Sequence, residues 1–166
     1  WKRRSSPAAP GIQPCQAFGR TLSAHPTLFN VLRTLRIYAV SIGAFFALDL
    51  VWLGVVASAF YARHLGDLLR PDVLWIPAIL FYLMFVAGVV FFVTIPAAGS
   101  IRRAAWTGAL FGLVTYATFD LTCLALFRDF PVIVVVVDLV WGAVLTGSVA
   151  SVGAWWSRRE ALNTSR

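Results

Sequence analysis

Charge is scarce in this 166-residue chain. Only 13% of positions are Asp, Glu, Lys or Arg, and of the seven acids none precedes Asp49. A soluble surface needs about twice that share, so an ordinary water-soluble domain is excluded. Cysteine is equally sparse. Cys15 and Cys123 form no CxxC or Cys/His spacing, which rules out a disulfide framework or a zinc site by pattern. His25 and His64 are far apart and lie within no apolar run, so neither haem ligation nor any metal site is expected. There is no Ser-His-Asp set, His-rich box or Gly-rich phosphate loop, and no catalytic residue is nominated: enzymatic activity is the less favoured reading.

Apolar sequence fills the space that charge leaves. Hydrophobic residues make up 60% of the chain and its mean hydropathy is +0.80, the signature of a polytopic membrane protein. Four runs, residues 37–61, 73–95, 105–127 and 131–156, each reach the ~20 residues that cross about 30 Å of hydrocarbon. They lack the alternation of barrel strands, so backbone groups in lipid require helices. The expected fold is all-α: a four-transmembrane-helix bundle over 37–156, preceded by a basic, Pro/Ser-rich tail with a short pre-membrane helix over 1–36 and followed by a basic tail over 157–166. Pro26 suits a first helical turn and Leu28, Val31, Leu32 and Leu35 recur at helical spacing; with no breaker before position 37, this helix reads best as an extension of the first span. Pro77 lies in the first turns of the second span and Pro96 ends it. Small residues paired at packing distance, Gly54 with Ser58, Gly108 with Gly112 and Ala143 with Gly147, mark where helices are expected to approach closely.

The net charge of +7 sits at the helix ends and not on a nucleic-acid-binding patch. Arg33 and Arg36 before the first span, Arg102 and Arg103 between the second and third, and Arg158 and Arg159 after the fourth are the expected positive-side, lipid-headgroup contacts. The other two loops balance Arg63 and Arg70 against Asp67 and Asp72, and Arg128 against Asp129. Both termini are therefore expected on the cytoplasmic or organelle-matrix side. The leading stretch begins at Trp1, is acid-free and carries Lys2, Arg3, Arg4 and Arg20; it is expected to be the remainder of an organellar targeting segment or a basic matrix-side tail.

Three acids break the pattern. Asp49, Asp120 and Asp138 lie inside the apolar runs, two of them in near-identical contexts, Asp49-Leu50-Val51-Trp52 and Asp138-Leu139-Val140-Trp141. A carboxyl at mid-membrane costs a few kcal/mol, so such groups face the protein interior. With alternating span direction, Asp49, Asp120, Asp138 and Tyr82 reach a similar level in the outer half of the bilayer, and Tyr116, Trp52 and Trp141 fall within one turn of them. This polar layer supports three readings: protonated carboxyls joining helices, a proton or cation path, or contact with a lipid headgroup or small ligand. The inner halves of the spans offer only hydroxyls, so the layer reads as sealed on the inner side.

The motifs then resemble a known family. Asp49-x-x-Trp52-Leu53-Gly54 with Phe60-Tyr61 and Leu65-Gly66, Phe81-Tyr82 with Gly88, Phe92 and Pro96-Ala97, the run Tyr116 to Thr122, and Asp138-x-x-Trp141-Gly142 resemble the small bacterial membrane proteins of domain of unknown function 2177 over about residues 37–150. The resemblance implies a four-helix membrane fold and no established activity. Where the family pattern often carries Asn after Asp-Leu-Thr, this chain has Cys123.

The favoured functional expectation is an accessory, non-catalytic subunit of a larger inner-membrane, energy-transducing complex, mitochondrial before bacterial, contributing packing and lipid contacts. The alternative is a free-standing bacterial-type protein that handles ions, lipids or a small molecule through the aspartate layer. The expected partners are membrane lipids and other membrane subunits; no nucleic acid and no cofactor is expected beyond bound phospholipid.

Overall fold

The computed structural model describes residues 25–164. Lys2, Arg3, Arg4, Cys15 and Arg20 of the expected N-terminal tail lie outside the described residues. Within them every regular element is helical. The first span is α1 (His25–Val51), a wide π-helical segment (Trp52–Ala57) and α2 (Ser58–Leu65). The second is α3 (Trp75–Val89) with a π-helical end (Val90–Thr94), the third is α4 (Ile101–Leu126) and the fourth is α5 (Val132–Thr164). Four helices are long and apolar enough to cross a membrane, over Asn30–Leu65, Trp75–Thr94, Ile101–Leu126 and Val132–Asn163. The expected all-α, four-span fold is the one observed.

α1 runs unbroken from His25 because Pro26 falls in its first turn, where a missing N–H is harmless. The first and last helices outrun the apolar stretches 37–61 and 131–156. Arg33 and Arg36, and Arg158, Arg159 and Glu160, ride on helical turns beyond those stretches. The two ends meet there: the Arg33 guanidinium donates to the Ser157 hydroxyl at 2.7 Å, and Arg36 pairs with Glu160 at 3.4 Å. At the far end of the same pair of spans the Tyr61 hydroxyl donates to Asp138. These contacts set the first and fourth spans antiparallel, with a basic end and an opposite end.

Both wide turns have consequences. Pro96 cannot donate to the Phe92 carbonyl and its ring crowds it, and the helix widens just before, with Ile95 N–H bonding Val90 C=O at 2.9 Å. The segment from Trp52 to Ala57 lies mid-span and contains no proline.

α4 and α5 make the most extensive contact in the bundle, and α5 also packs along α1. The α4–α5 seam is built on glycine. A Cβ at Gly112 would stand 2.0 Å from the Gly142 carbonyl oxygen, and one at Gly142 would stand 2.4 Å from the Tyr116 ring. Gly108 and Gly147 complete the seam. Of the expected pair Ala143 and Gly147, Gly147 lies in the seam, where a Cβ would stand 3.0 Å from the Ala105 carbonyl oxygen, while Gly142 takes the close-approach place expected of Ala143. The Gly54–Ser58 pair is a correction: a Cβ on Gly54 meets nothing within 4 Å and both residues are exposed, because the wide turn carries them away from the core.

One to two helical turns to the basic side of Asp49 and Asp138 lies an apolar plug. Phe45, Val86, Val89 and Leu145 are each at most 1% exposed and come from three different spans. Beyond it Ser41 and Thr94 are buried near Gly153.

Candidate functional site

α1 and α5 are antiparallel, so their matching Asp-Leu-Val-Trp segments meet in reverse order. The Asp49 carboxyl faces the Tyr82 hydroxyl of α3 and the Trp141 indole of α5, the indole N–H falling outside hydrogen-bond geometry. The Asp138 carboxyl accepts from Tyr61, which also faces Trp52. The two indoles stack between these pairs. Tyr116 of α4 lies within electrostatic reach of Asp49, Asp138, Tyr61 and Tyr82, and Phe45 and Phe46 pack their rings on Tyr82. Asp49, Asp120, Asp138, Tyr82, Tyr116, Trp52 and Trp141 thus occupy one neighbourhood.

Tyr61 is the residue that sequence reasoning missed. In an uninterrupted α-helix, twelve residues at about 100° each leave Tyr61 about 120° round from Asp49. A wide turn takes up one extra residue, and the angle falls to about 20°. The segment from Trp52 to Ala57 lies between the two residues and restores the shared face. Its signal was on the page as Phe60-Tyr61 in the family motif, but helical periodicity pointed it elsewhere.

Asp120 is the outlier of the three. It is 1% exposed, and neither carboxyl oxygen has a hydrogen-bond partner among the described residues. Its nearest charged neighbour is Asp138, and Cys123, one turn along α4, is itself buried. Among the described residues no Lys, Arg or His faces any of the three carboxyls. A buried carboxyl without donor or countercharge is costly.

Asp120 and Asp138 line a half-open cleft of about 380 Å³ whose other walls are Phe81, Phe85, Thr115, Tyr116 and Phe119. It lies between the second and third spans. There α3 leans on α1, and only its π-helical end packs on all three other spans. Phe81 and Phe119 are 48% and 66% exposed, so the mouth of the cleft is on the apolar flank of the bundle while Asp120 lies at its depth. The Thr115 hydroxyl is spent on the Phe111 and Gly112 carbonyls. The cleft therefore offers two carboxyls, one phenol and three phenyl rings.

The basic residues divide. Arg33 and Arg36 are engaged within the bundle, as above. Arg102 and Arg103 are exposed in the first turn of α4, beside exposed Trp106 and a Ser100 cap whose hydroxyl accepts from the Arg103 N–H at 3.4 Å. Arg158 and Arg159 are exposed, with Arg159 stacked 4.1 Å from the Trp155 ring centroid. Four of the six are thus free to meet headgroups.

The fold and this layer define a class: polytopic four-span membrane proteins with carboxyls buried inside the bundle. Residues 34–155 match the family described as predicted membrane protein, DUF2177, and the chain belongs to that family. No curated protein and no solved structure matches it.

Proposed function

We propose that this chain is a free-standing integral membrane protein that receives a small molecule or lipid headgroup at its carboxyl layer. The observation that carries this reading is Asp120, buried and without a partner among the described residues at the depth of an aromatic cleft open to the side of the bundle. A carboxyl that served packing alone would be bonded across helices, as Asp138 is to Tyr61. The plug of Phe45, Val86, Val89 and Leu145 separates the layer from the basic end, which favours binding over conduction. In this reading both termini face the cytoplasm or matrix, and the ligand enters from the opposite leaflet.

The test is carboxyl labelling in native membranes. Dicyclohexylcarbodiimide, which partitions into lipid, is expected to modify Asp120, and a water-soluble carbodiimide is not. Asp120 untouched by both reagents would return the layer to packing.

A second reading, an accessory subunit of a larger inner-membrane complex of mitochondrial or bacterial type, is supported by the opposite flank of α4. There Val114, Ala117, Thr118, Leu121, Thr122 and Ala125 line a shallow groove in which a further helix could lie. Blue-native electrophoresis after mild extraction separates the two readings. Migration as one to four copies removes the subunit reading, and co-migration with a large assembly supports it.

A further inference from the structure

We propose that the cleft recognises a protonated amine carried on an apolar body, the ammonium N–H between Asp120 and Asp138 and the body along Phe81, Phe85 and Phe119. The inference rests on the carboxyl layer being a ligand site and adds the class of ligand.

Four observations converge on it. Both Asp120 oxygens are acceptors with no donor among the described residues, so the complement must bring N–H or O–H groups. Among the described residues the nearest charged group is a second carboxyl and no cation is in reach, so the complement is positive. Among the described residues no three His, Cys, Asp or Glu side chains are placed to hold a metal ion, which turns the choice from an inorganic cation to an organic one. The remaining walls are aromatic, and ring faces attract an ammonium while their bodies take up hydrocarbon.

Size and entry agree. A volume of about 380 Å³ is within the roughly 300–1,000 Å³ of small-molecule sites. The mouth lies between exposed Phe81 and Phe119 on the apolar flank of the bundle, which in a bilayer would meet hydrocarbon. A hydrated ion has no route there, whereas an amphiphile already dissolved in the bilayer does. An anionic headgroup is disfavoured because no Arg or Lys lines the cleft. A free amphiphilic amine and an aminolipid headgroup share this chemistry.

The experiment uses the full chain in phosphatidylcholine nanodiscs and reads dicyclohexylcarbodiimide labelling of Asp120 by mass spectrometry. Four competitors of equal chain length are added below their micellar concentrations: N,N-dimethyldodecylamine, dodecyltrimethylammonium, dodecanol and dodecyl sulfate. The protonated dimethylamine keeps one N–H and should slow labelling about tenfold, the size of one charge-assisted hydrogen bond. The trimethyl compound, which has none, should protect less, and dodecanol and dodecyl sulfate should do little. Replacing part of the lipid with N,N-dimethylated phosphatidylethanolamine assigns the ammonium to a headgroup if it protects equally, and to a free amine if it does not.

Equal protection by dodecanol would overturn the cation while leaving the cleft a ligand site. Absence of Asp120 labelling before any competitor is added would overturn the site itself. Asp138→Asn, accepted only if it remains monodisperse, should reduce the preference of dimethylamine over dodecanol at Asp120. An undiminished preference would remove Asp138 from the site.

Discussion

The indole of Trp52 lies flat on that of Trp141, with ring centroids 4.4 Å apart and planes within 10°. The two residues close matching Asp-Leu-Val-Trp segments on antiparallel spans, and their stacking brings each aspartate to the other segment's level. Aromatic pairs contribute about 0.5–1.5 kcal/mol beyond the area they bury. A double-mutant cycle of Trp52→Phe and Trp141→Phe, measured by SDS-induced unfolding in bicelles, should return a coupling energy in that range. The exciton couplet in circular dichroism should change in either single variant, leaving the contribution of the adjacent Trp155 and Trp156 rings. Additive effects with an unchanged couplet would mean that the indoles do not stack.

Tyr61→Phe removes the hydroxyl that Asp138 accepts from. The loss of stability should be modest, about 1 kcal/mol, because buried hydrogen bonds within membranes average less than in water. The more telling change is chemical: carbodiimide labelling of Asp138 should rise while that of Asp120 stays as it was. Unchanged labelling at Asp138 would show that Tyr61 does not shield it.

Gly112→Ala sets a methyl against the Gly142 carbonyl, a contact that only a shift of backbone can relieve. It should cost about 1–3 kcal/mol of unfolding free energy. Gly54→Ala, with open space around the added methyl, should stay within about 0.5 kcal/mol of wild type. The same unfolding assay compares them, and equal effects would contradict the observed seam.

Cys123→Asn puts an amide one turn from Asp120, on the same helix face. Supplying the donor that this carboxyl lacks should stabilise the bundle by about 1 kcal/mol. The same variant should also slow Asp120 labelling, because the amide competes for the oxygens a ligand would use. Faster labelling and lower stability would mean that the amide cannot reach.

At the basic end two neighbouring arginines should behave differently. Arg36 is 66% exposed in its pair with Glu160, and Arg36→Ala should cost less than about 1 kcal/mol, fading with salt. Arg33 is half-buried against the buried Ser157 hydroxyl, so Arg33→Ala should cost more, about 1.5–3 kcal/mol, with little salt dependence. Unfolding at two ionic strengths distinguishes them.

Sequence alone determined the four spans, their helical state and the presence of carboxyls within them. Each follows from a local comparison, apolar length against bilayer thickness and one charged group against its solvation cost. The family motifs added that these carboxyls belong to a shared pattern. Tertiary structure decided what the carboxyls do with one another. The wide turn from Trp52 to Ala57 rotated Tyr61 onto the Asp49 face and carried Gly54 and Ser58 off the core, because an extra residue in a helix is invisible to a 3.6-residue period. The antiparallel meeting of the first and fourth spans set Asp138 beside Tyr61, 77 residues away, and Asp49 beside Trp141. Asp120 was left without a partner among the described residues, and at the depth of a cleft, because α3 leans on α1 and parts from α4.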